Sequence, residues 1–408
     1  MRIHRVLVVG VVEALTTIFI DGKYADKAIE KLFQKNKKWG SRDRAFIAEQ
    51  VYEIVRWWRL LHYGLTENTN LPESTNEAYW WKIVAINLIK QGVFEKNDWK
   101  EWSNIPDKSL IINRLSDKTL PLSVRVSIPD WLEEEGIQQF GKEWENEIVA
   151  MNNPAPLILR CNSLKTNPTQ LSKELSKINI AHKVVGKITP DAIILDQRTN
   201  VFSTELFKNG LFEVQDLASQ LVAQQLQLQT GLRVIDACAG AGGKTLHISS
   251  IMQNKGQIIA LDKEEYKLNE LKKRAIRAGA TNIVVKPIEN SKTIKRLYDS
   301  ADRLLLDVPC SGLGVLRRNP DAKWKLKPEF IENIKVIQQE IIQNYSKMLK
   351  NGGIMVYATC SIMPTENNLQ VQKFLSNNLD FKLLSEIKTS PQVDNMDGFY
   401  MATLKKND

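Results

Sequence analysis

The sequence predicts an α/β fold in which a mostly parallel sheet carries the chemistry, preceded by an all-helical region and a small α/β region. Three observations predict it. Up to about residue 128, apolar residues recur at helical spacing. From about 211 onward, short apolar strands alternate with helical stretches, the pattern of a parallel sheet covered by helices. Finally, the stretch Ala301–Asn319, ADRLLLDVPCSGLGVLRRN, brings an apolar strand, Leu304–Leu306, to Asp307 and then turns sharply through Val308-Pro309-Cys310-Ser311-Gly312. A carboxylate and a thiol are thereby delivered at the carboxyl end of a strand, where open α/β sheets bind their ligands.

The elements follow in order. In Ser41–Leu61, apolar residues at 46, 47, 51, 54, 55, 58 and 61 make one helical face behind a Ser41 cap, and Asn76–Gln91 makes a second helix ended by Gly92. Tryptophans 57, 58, 80 and 81 read as core in preference to base-stacking surface. Arg42, Arg44, Arg56 and Arg59 are candidates for phosphate contact or for a merely solvated basic face. The chain stays helical from about 129 to 150 until Asn152-Asn153-Pro154-Ala155-Pro156 breaks it. The small α/β region has strands at Leu157–Asn162 and Ala192–Leu195 around a helix at Pro168–Ile178; Arg160, Lys165 and Lys183 make it mildly basic. The larger region has strands at Leu232–Ala237, Gly256–Leu261, Asn282–Lys286, Arg303–Leu306 and Ile354–Thr359, the last after a long helix closing at Asn351-Gly352-Gly353. Phe381–Leu383 and Phe399–Leu404 are placed to form an antiparallel hairpin at the sheet edge. The expected domains are thus 1–128, 129–210 and 211–408.

Composition sets outer bounds. A chain of 408 residues, 43% hydrophobic and 25% charged, is globular and long enough for two or three domains. A formal net charge of +9 favours a polyanionic partner, nucleic acid first, although basic charge alone is shared by many proteins that bind none. Cys161, Cys238, Cys310 and Cys360 lie far apart with no CxxC pair, which argues against a zinc site and a disulfide framework and fits a reducing cytoplasm. The amino-terminal MRIHRVLVVGVVEAL is interrupted by Glu13 and lacks a small-residue cleavage site, so it reads as a core helix and not as a signal peptide. No stretch reaches the ~18–20 uninterrupted apolar residues of a membrane span. A cytoplasmic protein without metal or membrane partner is expected.

The first strand of the larger region runs into Gly240-Ala241-Gly242-Gly243-Lys244-Thr245 and a helix, and the second strand ends on Asp262 about twenty residues later. Glycines let backbone amides approach a nucleoside-type ligand, and the acid takes its ribose hydroxyls. The turn is neither GxGxxG nor a P-loop, whose first glycine is missing at its required offset, so an NTPase is disfavoured. Three acids, Asp236, Asp262 and Asp307, suit a cationic sulfonium, hence S-adenosylmethionine, better than a pyrophosphate cofactor.

A second thiol occurs in a matching place, in Tyr357-Ala358-Thr359-Cys360-Ser361. DACAGAGGKT, LLLDVPCSGLGVLRRNPDAKW and YATCSIMPTENN, together with LRCNSLKT, FEVQDLAS and the terminal DGFYMA, resemble the RsmB/Sun family of RNA cytosine-5 methyltransferases. GSRDRAFIAEQVY resembles the NusB-like domain often attached in bacterial members. The resemblance covers nearly the whole chain. It implies a Rossmann-like class I methyltransferase domain with a seven-stranded sheet, a NusB-like RNA-binding domain, and a small RNA-recognition-like region. It also implies Cys360 as nucleophile, Cys310 as the group that assists breakdown of the adduct, Asp307 at the base, and Lys244 beside them. The cofactor residues it implies are Cys238, Ala239, Gly240, Ala241, Gly242, Gly243, Lys244, Asp262, Glu289 and Asp307. Two departures stand out: Ala241 replaces a common proline, and Glu289-Asn290 is an unusual context for a third acid.

Arg317, Arg318, Lys323 and Trp324 are candidates to guide an RNA backbone and stack a base. The target base must leave its stack, so the RNA should be single-stranded or locally melted. The family implies small-subunit ribosomal RNA as substrate, with transfer RNA second, and a monomer. Two rivals remain. An amino-group methyltransferase uses a motif like [DN]PP[YF] and needs no thiol, and a non-catalytic RNA-binding or assembly factor would have no need of either cysteine.

Overall fold

Residues 3–95 and 99–408 are described by the computed structural model. They form two compact units: the amino-terminal residues to Asn153 together with Leu316–Leu326, and Pro154–Val315 together with Lys327–Asp408. The helices Asp130–Phe140 and Trp144–Ala150 therefore belong with the first unit, past the expected boundary at 128. Among the described residues no helix is long and apolar enough to cross a membrane.

The first unit is helical, built around Arg5–Phe19, Ala25–Lys35, Ser41–Thr66 and Glu77–Lys90. The Asn76 side chain caps the last of these by accepting from the Tyr79 amide at 2.9 Å, which satisfies a helix-start donor. Trp80 is fully buried and stacks on Phe19 with ring centroids 4.6 Å apart, and Trp58 Nε1 donates to Tyr79 Oη at 2.9 Å. These aromatics are core, as their spacing indicates. Arg56 and Arg59 are buried and are not a phosphate-binding face. Arg59 donates to the Ile128 carbonyl at 2.8 Å and to Asp130 at 2.7 Å, so its guanidinium is consumed by the fold.

The short segment Leu316–Leu326 is a built-in part of that helical core, which corrects the expectation that Arg317, Lys323 and Trp324 guide an RNA. Lys323 is 2% exposed and its Nζ donates to the Arg56 carbonyl at 2.8 Å; Arg56 Nη2 donates to the Arg317 carbonyl at 3.1 Å. Trp324 Nε1 donates to the Val55 carbonyl at 2.7 Å, and its ring meets Trp58 edge-on at 5.1 Å. Asp321 accepts the Ala25 amide at 3.0 Å at a helix start. Burial, followed by the charge of Arg56, pushes the Lys323 ammonium well below the usual lysine range.

The second unit holds two sheets. The small one is antiparallel, with strands β1 (Leu157–Cys161), β2 (His182–Val184), β3 (Ala192–Leu195) and β4 (Phe212–Val214) in the order β2-β3-β1-β4. β4 pairs with β1, so the small sheet extends beyond residue 210 and the larger domain starts later than the strand–helix count suggests.

The large sheet contains β5 (Arg233–Asp236), β6 (Gln257–Asp262), β7 (Ile283–Pro287), β8 (Ala301–Asp307), β9 (Leu349–Thr359), β10 (Phe381–Thr389) and β11 (Phe399–Lys406). Its order is β10-β11-β9-β8-β5-β6-β7. β5 to β9 are parallel to one another, while β11 lies antiparallel between β9 and β10. This is the seven-stranded Rossmann-like sheet. Successive residues of its central strands serve opposite faces: Leu304, Leu306, Met355 and Tyr357 enter one apolar cluster, Leu305, Val356 and Ala358 another. Asn351, Gly352 and Gly353 lie inside β9, because the preceding helix Pro328–Tyr345 ends earlier than expected. From β5 the chain winds outward through β6 and β7, then returns to the other side of β5 as β8. The topological switch point therefore falls between β5 and β8, which fixes where a ligand cleft opens.

Candidate active site

The two thiols meet because of strand register. β8 and β9 are parallel neighbours with Asp307 opposite Ala358, so their carboxyl ends stop side by side. Cys310 lies three residues past one end and Cys360 one past the other; their sulfurs are 3.3 Å apart and both are unoxidised. The turn is held by Val308 N donating to the Ala358 carbonyl at 3.0 Å and Gly314 N donating to the Cys360 carbonyl at 3.0 Å. Gly314 is obligatory at this crossing: a Cβ there would stand 1.8 Å from the Gly398 carbonyl oxygen. The neighbouring Cys360 sulfur, reinforced by burial, pushes the Cys310 thiol well above the usual cysteine range.

Beside the thiols, Lys244 Nζ and Asp307 Oδ2 form an ion pair at 2.6 Å. Lys244 comes from the first turn of the helix Gly243–Ile251, and it also lies 5.2 Å from the centroid of the Phe399 ring. Burial opposes its charge, but Asp307 outweighs burial and holds the lysine above its ordinary range. Lys244 is within electrostatic reach of the Cys360 sulfur and Glu366 within reach of the Cys310 sulfur, so the two thiols experience different fields.

A cavity of about 300 Å³ opens at the switch point, lined by Cys238, Gly240, Asp262, Asp307, Ile341 and Tyr345 among others. This is within the range of ordinary small-molecule sites. Asp262 is fixed by two backbone donors, Gly240 N at 2.8 Å and Glu264 N at 2.9 Å. Gly242 adopts φ +85°, and a Cβ there would fall 2.4 Å from Leu271 Cγ, so the loop needs glycine for both conformation and space. Ala239, Ala241, Gly242, Gly243 and Lys244 are not among the cavity's walls. Asp236 is likewise not at the wall: it is buried, accepts from Thr245 Oγ1 at 2.7 Å, and is pushed up to about 7 by burial. Glu289 is exposed and lines an adjoining hollow of about 530 Å³ that shares Lys263, Ile288 and Tyr345 with the first. Among the described residues no group of His, Cys, Asp and Glu could hold a metal ion.

Residues 223–405 match the family described as 16S rRNA methyltransferase RsmB/F, and residues 128–202 match the ferredoxin-like domain of RsmF/B-like methyltransferases. The chain is 31% identical to the probable ribosomal RNA small subunit methyltransferase B of Synechocystis, over 94% of this chain and 95% of the relative. It is 32% identical to the protein of the same description from Bacillus subtilis, over 97% of each. The chain belongs to the RsmB/F methyltransferase family. A solved methyltransferase homologue from Pyrococcus horikoshii shares its fold with a TM-score of 0.63 at 27% identity, over 71% of this chain and 99% of that one.

As an RsmB/F methyltransferase, the chain brings together Cys310, Cys360, Asp307 and Lys244, and sets Cys238, Gly240 and Asp262 on one cavity. Other members of its site were not read from the sequence. Arg160 is 2% exposed and donates to the Gly243 carbonyl at 2.6 Å, and Arg274 donates to the Ala241 carbonyl at 2.8 Å. Glu213 of β4 pairs with Arg274 at 2.9 Å and also with Arg277. The small sheet and the helix behind it thus grip the carbonyls of the glycine loop. Asn367, whose side chain accepts from Thr359 Oγ1 and donates to the Ser361 carbonyl at 2.9 Å, brackets Cys360. No spacing rule marks either group in advance; Arg160 in particular is indistinguishable from surface basic residues until β4 is known to pair with β1.

Proposed function

We propose that this methyltransferase transfers a methyl group from S-adenosylmethionine to C5 of a cytosine in small-subunit ribosomal RNA, through a temporary bond between Cys360 and C6. The observation that carries the proposal is the pair of thiols 3.3 Å apart, beside a 2.6 Å Lys244–Asp307 ion pair whose aspartate lines the switch-point cavity. The relatives' description as small-subunit ribosomal RNA methyltransferases supports the substrate class. Transfer RNA is the alternative for the same chemistry.

The cavity suits the cofactor. Asp262 has the position for a ribose hydroxyl pair, and Asp307 offers an anion toward a sulfonium centre. When bound, the cofactor supplies an electrophilic methyl group. The residues do the rest. Lys244 sets a cation near the Cys360 sulfur, where it helps position the base beside the attacking group. The Cys360 sulfur adds to C6 of the base, and the C5=C6 electron pair becomes available at C5, which is otherwise a poor nucleophile. Asp307 takes up the proton that the Cys360 thiol gives up and donates it to N3 of the base, where negative charge develops during addition, and takes it back on elimination. After methyl transfer, Cys310 assists removal of the C5 proton. The C5–H pair then re-forms the double bond and expels the Cys360 thiolate.

The test uses labelled S-adenosylmethionine with unmodified ribosomal and transfer RNA pools, each digested to nucleosides. Label in 5-methylcytidine from the ribosomal pool is expected. Label in another nucleoside, or in 5-methylcytidine from transfer RNA alone, would overturn the chemistry or the substrate respectively.

A further inference from the structure

The residue immediately after each thiol is a serine, and both serines end on one buried carboxylate. Glu366 is fully buried in the short turn after β9. One of its oxygens accepts from the hydroxyls of both Ser311 and Ser361, the latter at 2.6 Å. The other accepts from the Ser311 backbone amide at 2.8 Å and from Gln338 Nε2 at 3.1 Å. Gln338 in turn donates to the Pro309 carbonyl at 3.0 Å, on the other side of Cys310. The Ser311 and Ser361 hydroxyls also meet each other at 3.2 Å. Four donors thus converge on the two oxygens of one carboxyl group.

We infer that Glu366 is a positioning residue that sets the separation of the two thiols by gripping the turn that follows each. Cys310 and Cys360 come from chain segments fifty residues apart, and the backbone bonds between β8 and β9 and from Gly314 N to the Cys360 carbonyl fix the backbone rather than the sulfurs. Glu366 closes that gap with one rigid group. Its negative charge also faces Cys310, together with the neutral phenol of Tyr357 and the thiol of Cys360, whereas the Lys244–Asp307 pair lies on the Cys360 side. Removing the carboxylate charge therefore loosens the spacing and makes Cys310 easier to ionise. The inference rests on the proposed two-thiol mechanism for its consequence in catalysis, but the spacing itself is measurable without RNA.

The experiment uses the full-length chain in its wild-type form and as Glu366→Gln, Glu366→Asp and Ser361→Ala, with Cys310→Ser as control. Phenylarsine oxide bridges two adjacent thiols, forming two As–S bonds with release of one water, and intact-mass spectrometry counts the adduct. Wild type takes one bridging arsenical that Cys310→Ser cannot. Glu366→Gln and Ser361→Ala lose about tenfold in bridging rate, while Glu366→Asp, which keeps the charge, recovers part of it. Iodoacetamide labelling of Cys310 moves to lower pH in Glu366→Gln and stays in place in Glu366→Asp. In methyl transfer, Ser361→Ala lowers kcat by about tenfold with the cofactor KM within about twofold. Ser361→Ala removes one hydroxyl only, so it decides the matter even if Glu366→Gln does not fold. Unchanged bridging in Ser361→Ala together with an unmoved Cys310 labelling profile in a folded Glu366→Gln would overturn the inference. Altered bridging in a protein that methylates no cytosine would instead leave the spacing role standing and overturn the proposed function.

Discussion

Replacing Lys244 by methionine isolates the ion pair at the centre of the site. The Lys244 and Asp307 side chains are 13% and 26% exposed, so the pair is largely withdrawn from water. Breaking a fully buried pair by removing one partner costs about 3–5 kcal/mol, because the other charge is left uncompensated. Asp307 lines the cavity and can regain water on one side, which brings the expectation down to about 2 kcal/mol. At a urea slope of about 2–3 kcal/mol/M this lowers the unfolding midpoint by roughly 0.7–1 M. Asp307→Asn should cost less, and the double variant less than the sum of the two, with a coupling of about 1 kcal/mol or more. The sign of the pH dependence follows from the raised lysine. A cation whose pKa is higher in the folded state contributes fully below its unfolded value of 10.5 and loses that contribution as pH rises through the folded value. The difference between wild type and Lys244→Met should therefore be flat through neutral pH and shrink only in strongly alkaline solution. Strict additivity in the cycle, or a difference that vanishes near pH 7, would refute the reasoning.

Three further outcomes follow from the same geometry. Gly314→Ala forces a methyl group to 1.8 Å from the Gly398 carbonyl oxygen, and should destabilise the fold by about 2–4 kcal/mol or abolish soluble expression, read by thermal unfolding. Asp262→Ala removes the acceptor of the Gly240 amide and the candidate ribose ligand, and should weaken cofactor binding about tenfold or more by calorimetry, with the unfolding midpoint changed far less. Lys323→Met removes a buried ammonium, and should leave RNA affinity and its salt dependence unchanged. The stability of the wild type should rise relative to that variant between the depressed folded pKa and 10.5, since the unfolded chain binds the extra proton there. A loss of RNA affinity with a smaller salt slope would return Lys323 to the phosphate-contacting group.

Much of this site was legible because its signals are local. A strand ending in Asp307 or Asp262, a turn that demands glycine, and a cysteine just past a strand end are each written within a few consecutive residues, and parallel pairing does the rest. What was illegible depends on pairings at long range. Phe212–Val214 is a three-residue strand before a helix, so it reads as the start of the next alternation until its partner in β1 is known. Lys323 and Trp324 sit in a short polar stretch bounded by prolines, which has the composition of an exposed loop. Their burial comes from carbonyls about 270 residues earlier in the chain. Glu366 is an ordinary acid in a turn by sequence, and only the convergence of Ser311, Ser361 and Gln338 on its carboxylate distinguishes it. The large sheet, by contrast, needed no such partner to be read, since β5 to β9 are apolar runs separated by recognisable helices.

The division of labour between the two thiols is the central claim, and a covalent trap tests it most directly. Each single-cysteine variant is incubated with unmodified small-subunit ribosomal RNA and S-adenosylmethionine, then resolved under denaturing conditions. Cys310→Ala should accumulate a protein–RNA adduct, because addition by Cys360 proceeds while elimination stalls, and Cys360→Ala should form none. An adduct confined to Cys360→Ala would reverse the roles of the two sulfurs, and its absence from both variants while the wild type still methylates cytosine would contradict the covalent route.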